Sequence, residues 1–135
     1  MEIQILASGS SGNAYIIGDG ETSLLLDAGI PLKAIQTGSG FRVRQLAGCF
    51  ITHSHKDLSK AAKDLARLGV DVYTSAGTIE ACGLLGHRIH AVKALREFQV
   101  GTFQVLPFDV EHDAPEPLGF LFASKGEKLP CFTDT

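Results

Sequence analysis

The chain has 135 residues, 44% of them hydrophobic and 20% charged, with a formal net charge of -3 at pH 7. That length and balance fit one globular domain with a real core, and exclude a disordered or fibrous chain. The negative sum supplies no overall basic field, which argues against tight nonspecific nucleic-acid binding, and no apolar run approaches membrane-spanning length.

Glu2 to Leu6 alternates as a strand, and Ser8-Gly9-Ser10-Ser11-Gly12-Asn13 breaks it. Ala14 to Ile17 and Ser23 to Leu26 read as a hairpin turned at Gly18-Asp19-Gly20-Glu21. The unbroken Leu24-Leu25-Leu26 predicts a strand covered on both faces, closed by Asp27-Ala28-Gly29. Pro31 opens a short helix toward Gln36, which Gly38-Ser39-Gly40 ends. Gly48 to Thr52 reads as a strand, and Asp57 to Leu68 as a helix with its apolar face on Leu58, Ala61, Ala62, Leu65 and Leu68 and Gly69 past its end. Val70 to Thr74 is a strand and Ala76 to Leu85 a helix. From His87 onward the pattern is β: Glu97 to Val100, Thr102 to Leu106, Leu118 to Ala123 and Lys128 to Thr133. Strands interleaved with helices and then a β-rich stretch predict a single α/β domain in layers, with no linker or repeat.

Cys49, Cys82 and Cys131 are odd in number, widely spaced and without a CxxC. They predict free thiols, each a small buried hydrophobe, in a reducing cytosol. Glu2 stands where a secretory signal would carry basic residues.

The chemistry concentrates in Thr52-His53-Ser54-His55-Lys56-Asp57. On an extended backbone, alternate side chains point the same way, so His53, His55 and Asp57 converge on one point. Neutral imidazole is the commonest zinc ligand, and a catalytic site needs about three protein ligands plus an open position. The bland alternative, two polar histidines at a strand end, does not account for HxHxD at the exit of an apolar run. His112, past a second apolar strand, is the natural third ligand, and Asp134, past another, can complete or bridge the site. Asp27 orients the histidine loop by accepting hydrogen bonds, caps the turn before Pro31, or does both. Glu111 and Asp113 read as solvated carboxylates, and His87 and His90 as surface histidines. The Ser8–Asn13 loop is a tight turn or a pocket border; it has neither a P-loop nor a serine-hydrolase context.

Taken together, Leu6-Ala7-Ser8-Gly9-Ser10-Ser11-Gly12-Asn13, Leu25-Leu26-Asp27-Ala28-Gly29, the HxHxD, His112-Asp113-Ala114, Leu118-Gly119-Phe120 and Thr133-Asp134 resemble the metallo-β-lactamase superfamily of hydrolases, in its YycJ/WalJ-like branch of bacterial exonucleases and phage phosphodiesterases. The resemblance implies layered β-sheets with flanking helices. It makes His53, His55 and His112 ligands of a first metal ion, Asp57 a ligand of a second, and Asp134 the bridge, with Asp57 and Asp134 also serving catalysis. It implies a metal-dependent phosphodiesterase or nuclease acting on nucleic acid or nucleotides, with zinc or manganese as cofactor.

Two departures qualify that expectation. The family pattern HxHxDH has Leu58 in its last place here, so a second ion should bind weakly or not at all, leaving about one ion per chain. The chain also ends at Asp134-Thr135, where the family continues, so the resemblance covers the N-terminal half to two-thirds of the fold across residues 1–135. A homodimer that covers the apolar sheet surface is the expected repair. A non-catalytic, degenerate metal-binding or protein-interaction module is the alternative function.

Overall fold

The computed structural model describes residues 1–10, 12–55, 59–111 and 114–131. Six strands form the first sheet, in the order β1 (Glu2–Ala7), β2 (Ala14–Gly18), β3 (Ser23–Leu26), β4 (Gly48–Phe50), β5 (Val72–Thr74) and β6 (Ile89–Ala91). The first three are antiparallel, and β3 through β6 are parallel. Parallel neighbours need crossovers. Helices α1 (Leu32–Gly38), α2 (Ala62–Arg67) and α3 (Ala76–Cys82) lie in those three connections. The second sheet is antiparallel, with β7 (Phe98–Val100), β8 (Phe103–Asp109), β9 (Leu118–Ser124) and β10 (Glu127–Cys131) in the spatial order β10-β9-β8-β7.

The leucine run of β3 shows why the layers stack as they do. Pleating sends alternate side chains to opposite faces. Leu25 joins Ile35 of α1 and Ala62 and Leu65 of α2 in a core under the helices. Leu24 and Leu26 join Phe50, Phe103, Phe120 and Phe122 in a core between the sheets. The first sheet is thus the middle layer, and the expectation of a strand covered on both faces holds. Phe50 anchors the inter-sheet core, edge-on to Phe120 and Phe122 at 5.3 and 5.1 Å and stacked on Tyr73 at 5.0 Å.

Several boundaries shift for identifiable reasons. The helix expected to reach Leu85 stops at Cys82, because Gly83 adopts the left-handed conformation at φ 64° and closes the last turn. Its start is fixed by Ser75, whose Oγ accepts from the Thr78 N–H. The strand expected to end at Leu106 runs on to Asp109 through Pro107. A proline fits there because β7 pairs only with Phe103–Val105, so the Pro107 nitrogen faces a side with no ladder partner, where its carbonyl accepts the Leu95 N–H. Of the helix expected from Asp57, Ser59 is helical, Lys60 and Ala61 form a turn and α2 runs from Ala62, while Asp57 and Leu58 lie outside the described residues. Likewise β10 ends at Cys131, and Phe132 to Thr135 lie outside them. All three cysteines are free, as expected; Cys49 is buried, while Cys82 and Cys131 are only half-buried.

Candidate metal centre

The site begins with an aspartate held against its own preference. Asp27 has φ 59° and is 3% exposed, and its backbone N–H donates to the Phe50 carbonyl at 2.7 Å. Its left-handed backbone turns the chain off the end of β3 and brings its carboxylate beneath the end of β4. There Asp27 Oδ1 accepts the Thr52 backbone N–H at 2.8 Å, and both carboxylate oxygens accept from Thr52 Oγ1 at 3.1 and 3.2 Å. Of the roles open to Asp27 from sequence, support beneath the histidine loop is observed.

This contact also ends the strand early. The sequence predicts β4 through Thr52, but pairing stops at Phe50. Past that point the Thr52 N–H has a carboxylate partner in place of a neighbouring strand, and residues 53–55 bend away. The histidines therefore converge on a bend, where an extended strand was expected.

The same contact sets the chemistry of His53. Thr52 Oγ1 lies 3.2 Å from His53 Nδ1. A hydroxyl has one proton to give, and Thr52 gives it to Asp27. The shared contact with the ring is therefore a donation from His53 Nδ1–H, which leaves the lone pair of the neutral imidazole on Nε2. An aspartate, a hydroxyl and an imidazole in series hold one tautomer, the arrangement that presents a histidine to a divalent metal. His53 is 1% exposed and Thr52 2%, so both are fixed by packing as well. The exposed His55 ring stands edge-on to that of His53, their centroids 4.7 Å apart. This pair of nitrogen donors fits a zinc-type ion, with His55 facing solvent.

His112, Asp57 and Asp134 lie outside the described residues, as do Leu58 and Asp113. Among the described residues no group of three His, Cys, Asp or Glu stands ready to hold a metal ion. The described strand ends nevertheless meet at this corner. Leu118, at the start of β9, donates its N–H to the Thr52 carbonyl at 2.8 Å and pairs with Asp109 at the end of β8, three positions before His112. Cys131, at the end of β10 and three positions before Asp134, lies close enough to Asp27 to feel its charge; burial and that charge push its thiol up to about 11.

The remaining candidates stand apart. His87 is exposed, as expected. His90 is half-buried and engaged: its Nε2 lies 2.9 Å from Asp71 Oδ1 and its ring stacks on Tyr73 at 4.9 Å. Glu111 is exposed. The described part of the Ser8–Asn13 loop is a tight turn, with the Gly9 N–H on Asn13 Oδ1 at 3.0 Å and the Asn13 carbonyl accepting the Gly29 N–H at 2.9 Å. Gly12, at φ 140°, packs so closely on the Gly29 carbonyl that a Cβ would collide with it. Thr52 is the residue that sequence reasoning missed; its only signal is a β-branched hydroxyl residue immediately before the first histidine.

No family model matches the chain. It is 34% identical, over its full length, to exodeoxyribonuclease YycJ of Bacillus anthracis, and 32% identical over 97% of its length to exodeoxyribonuclease WalJ of Streptococcus pneumoniae. Among solved structures it superposes on the metallo-β-lactamase fold protein YhfI of Bacillus subtilis with a TM-score of 0.80 at 16% identity, covering 98% of this chain and 62% of that one. The chain has the metallo-β-lactamase fold. The Rm3 metallo-β-lactamase shares the fold, with a TM-score of 0.75 and 17% identity over 95% of this chain and 56% of that one. The chain spans about half the length of the curated relatives it matches, 54% of YycJ and 53% of WalJ. Among its described residues no helix is long and apolar enough to cross a membrane.

Proposed function

We propose that this chain carries the metal-binding half-site of a hydrolase that cleaves phosphodiester bonds in nucleic acid. The observation that carries the reading is the Asp27–Thr52–His53 series, which spends a strained aspartate and two buried polar groups on fixing one imidazole. The strand ends that lead toward His112 and Asp134 meet at the same corner. Two sequence relatives are exodeoxyribonucleases, which favours DNA among possible substrates.

In this reading His53, His55 and His112 hold one zinc or manganese ion, and Asp134 completes its ligand set. Asp57 would serve a second ion, but Leu58 offers no ligand beside it. When bound, the ion supplies Lewis-acid polarisation of a phosphodiester and of water. The chain's own residues do the rest. Asp27 and Thr52 keep the His53 proton on Nδ1, and Phe50 and Ile51, both fully buried, exclude water from beneath the loop. The free thiols fit a cytosolic setting. Ile3 and Ile5, 52% and 65% exposed on edge strand β1, are the apolar surface that a second copy would cover.

Leu58 favours a second reading, a metal-binding or interaction module without turnover. The two separate on an end-labelled DNA strand incubated with manganese or zinc. The hydrolase reading expects metal-dependent shortening that chelation stops, that His53→Ala reduces at least about a hundredfold, and that Leu58→His raises. Absence of cleavage in the unaltered chain and in Leu58→His alike would support the second reading.

A further inference from the structure

The formal charge of -3 conceals a strong asymmetry along the chain. Residues 33–93 hold nine of the twelve Lys and Arg and four of the fifteen Asp and Glu. This stretch includes the helical layer, and its cations line two adjoining concavities there. One, of about 380 Å³, is lined by Lys63, Arg67, His87 and Arg88. The other, of about 300 Å³, is lined by Gln36, Phe41, Arg42, Arg44 and Gln45. They flank the C-terminal end of α2, since Ala66 and Arg67 line the first and Leu68 the second.

Folding does not explain this placement. Lys63 and Arg67 stand four apart on α2, where like charges repel and weaken the helix. Asp64 approaches Arg67 at 3.4 Å and Asp71 approaches Arg88 at 3.5 Å, but among the described residues Lys63, Arg42 and Arg44 have no ion-pair partner. Phe41 is 78% exposed, and its φ of 63° places a bulky residue in the left-handed region. Its N–H closes α1 on the Gln36 carbonyl at 2.7 Å, which accounts for the backbone, while its ring is left exposed in the wall of the arginine-lined hollow.

We infer that the two hollows form one docking strip for a single-stranded polynucleotide, with Arg42, Arg44, Lys63 and Arg67 on successive phosphates and Phe41 stacked on a base. Cationic tracks with an interposed aromatic ring are how sequence-tolerant single-strand binding is built, because every base has a stacking face. The strip also leads to the candidate metal centre. Lys60, Lys63 and Arg67 step away from Ser59, whose N–H bonds the His55 carbonyl at 3.1 Å. Cys82, next to Gly83 in the wall of the larger hollow, has its Sγ 3.7 Å from the carbonyl of Ser54, between the two histidines. The larger hollow therefore adjoins the backbone of the histidine loop. The inference deepens the proposed nucleic-acid chemistry and rests on that reading for its biological sense, though its binding test does not.

The test is fluorescence anisotropy with a labelled oligothymidylate of roughly 16 nucleotides, in EDTA, so that metal ligation plays no part. Arg42→Ala combined with Arg44→Ala, and separately Lys63→Ala with Arg67→Ala, should each weaken binding about tenfold or more and flatten its salt dependence by about one unit per lost phosphate contact. Phe41→Ala should weaken the single strand about tenfold while leaving a duplex of the same length unaffected. Unchanged affinity in the arginine and lysine variants, or no binding by the unaltered chain at low salt, would overturn the inference. So would a Phe41→Ala variant whose only change is in sedimentation, which would make the strip a contact between copies. Cleavage after metal addition is scored separately: oligonucleotide binding lost in the variants sustains the strip even if no cleavage ever occurs, and cleavage with strip-neutral variants removes the strip while leaving the hydrolase.

Discussion

Two aspartates bracket the central strand β3, and comparing them separates what holds this fold together from what it is held together for. Asp19 lies in the turn before it. Its carboxylate accepts the N–H groups of Glu21 and Thr22 at 2.9 and 2.8 Å and the hydroxyls of Thr102 and Ser124, the last from the opposite sheet. Asp27 lies just past the other end, likewise surrounded by an N–H and a hydroxyl. The Asp19 network closes on itself and staples the two sheets. The Asp27 network continues through Thr52 to a histidine nitrogen. The same carboxylate chemistry is a clamp in one place and a positioning device in the other.

The comparison can be broken in stages. Phe50 pairs with Leu26 at the Asp27 end of β3 and anchors the core between the two sheets that the Asp19 clamp also joins, and Phe50→Ala should cost about 3–5 kcal/mol in denaturant unfolding, loosening both networks at once. Asp19→Ala should cost about 2–3 kcal/mol and leave metal content unchanged, because only the clamp is lost. Its pH dependence has a definite sign. Partial burial pushes the Asp19 carboxyl up, but the hydroxyls of Ser124 and Thr102 and the two N–H groups outweigh it, and the group titrates well below the usual carboxylate range. A depressed folded pKa stabilises the protein above the unfolded value of about 4 and loses that contribution as the pH falls toward the folded value. Thermal melts from pH 7 down to about pH 2.5 should therefore show the gap between the native chain and Asp19→Asn narrowing below about pH 4.

At the other end of β3, the expected losses are smaller in energy and different in kind. Asp27→Ala should weaken metal binding about 10-fold to 100-fold, measured by competition with a chromogenic chelator. Asp27→Asn, which keeps an acceptor and tolerates positive φ, should recover part of that loss. Thr52→Val, the smallest change, removes only the hydroxyl that links Asp27 to His53 and should weaken metal binding by about tenfold or less, with Thr52→Ser restoring it. Equal loss of stability and no loss of metal affinity in the Asp27 and Thr52 variants would make this end a second clamp.

Legibility in the sequence follows the reach of each interaction. The leucine run, the hairpin and the HxHxD are local patterns, and the resemblance to the metallo-β-lactamase superfamily rests on several of them in fixed order. Asp27 could be placed beneath the histidines because its strand neighbours theirs. The Asp19 clamp could not, since Thr102 and Ser124 are 83 and 105 residues away from it. Thr52 was hidden for another reason: its hydroxyl matters only once Asp27 has adopted a left-handed backbone that no sequence rule requires of an aspartate. The short β4 has the same origin, because a side chain took over where a strand partner was expected. Net charge is silent in a different way, since the sum over the chain says nothing of where the cations gather.

The central claim is that Asp27 and Thr52 exist to hold His53 for a metal ion. The direct measurement is metal per chain by elemental mass spectrometry after reconstitution and desalting, in the native chain, His53→Ala and Asp19→Ala. The account predicts about one zinc or manganese ion in the native chain, the same in Asp19→Ala, and next to none in His53→Ala. Metal retained equally in His53→Ala, or by none of the three, would contradict it.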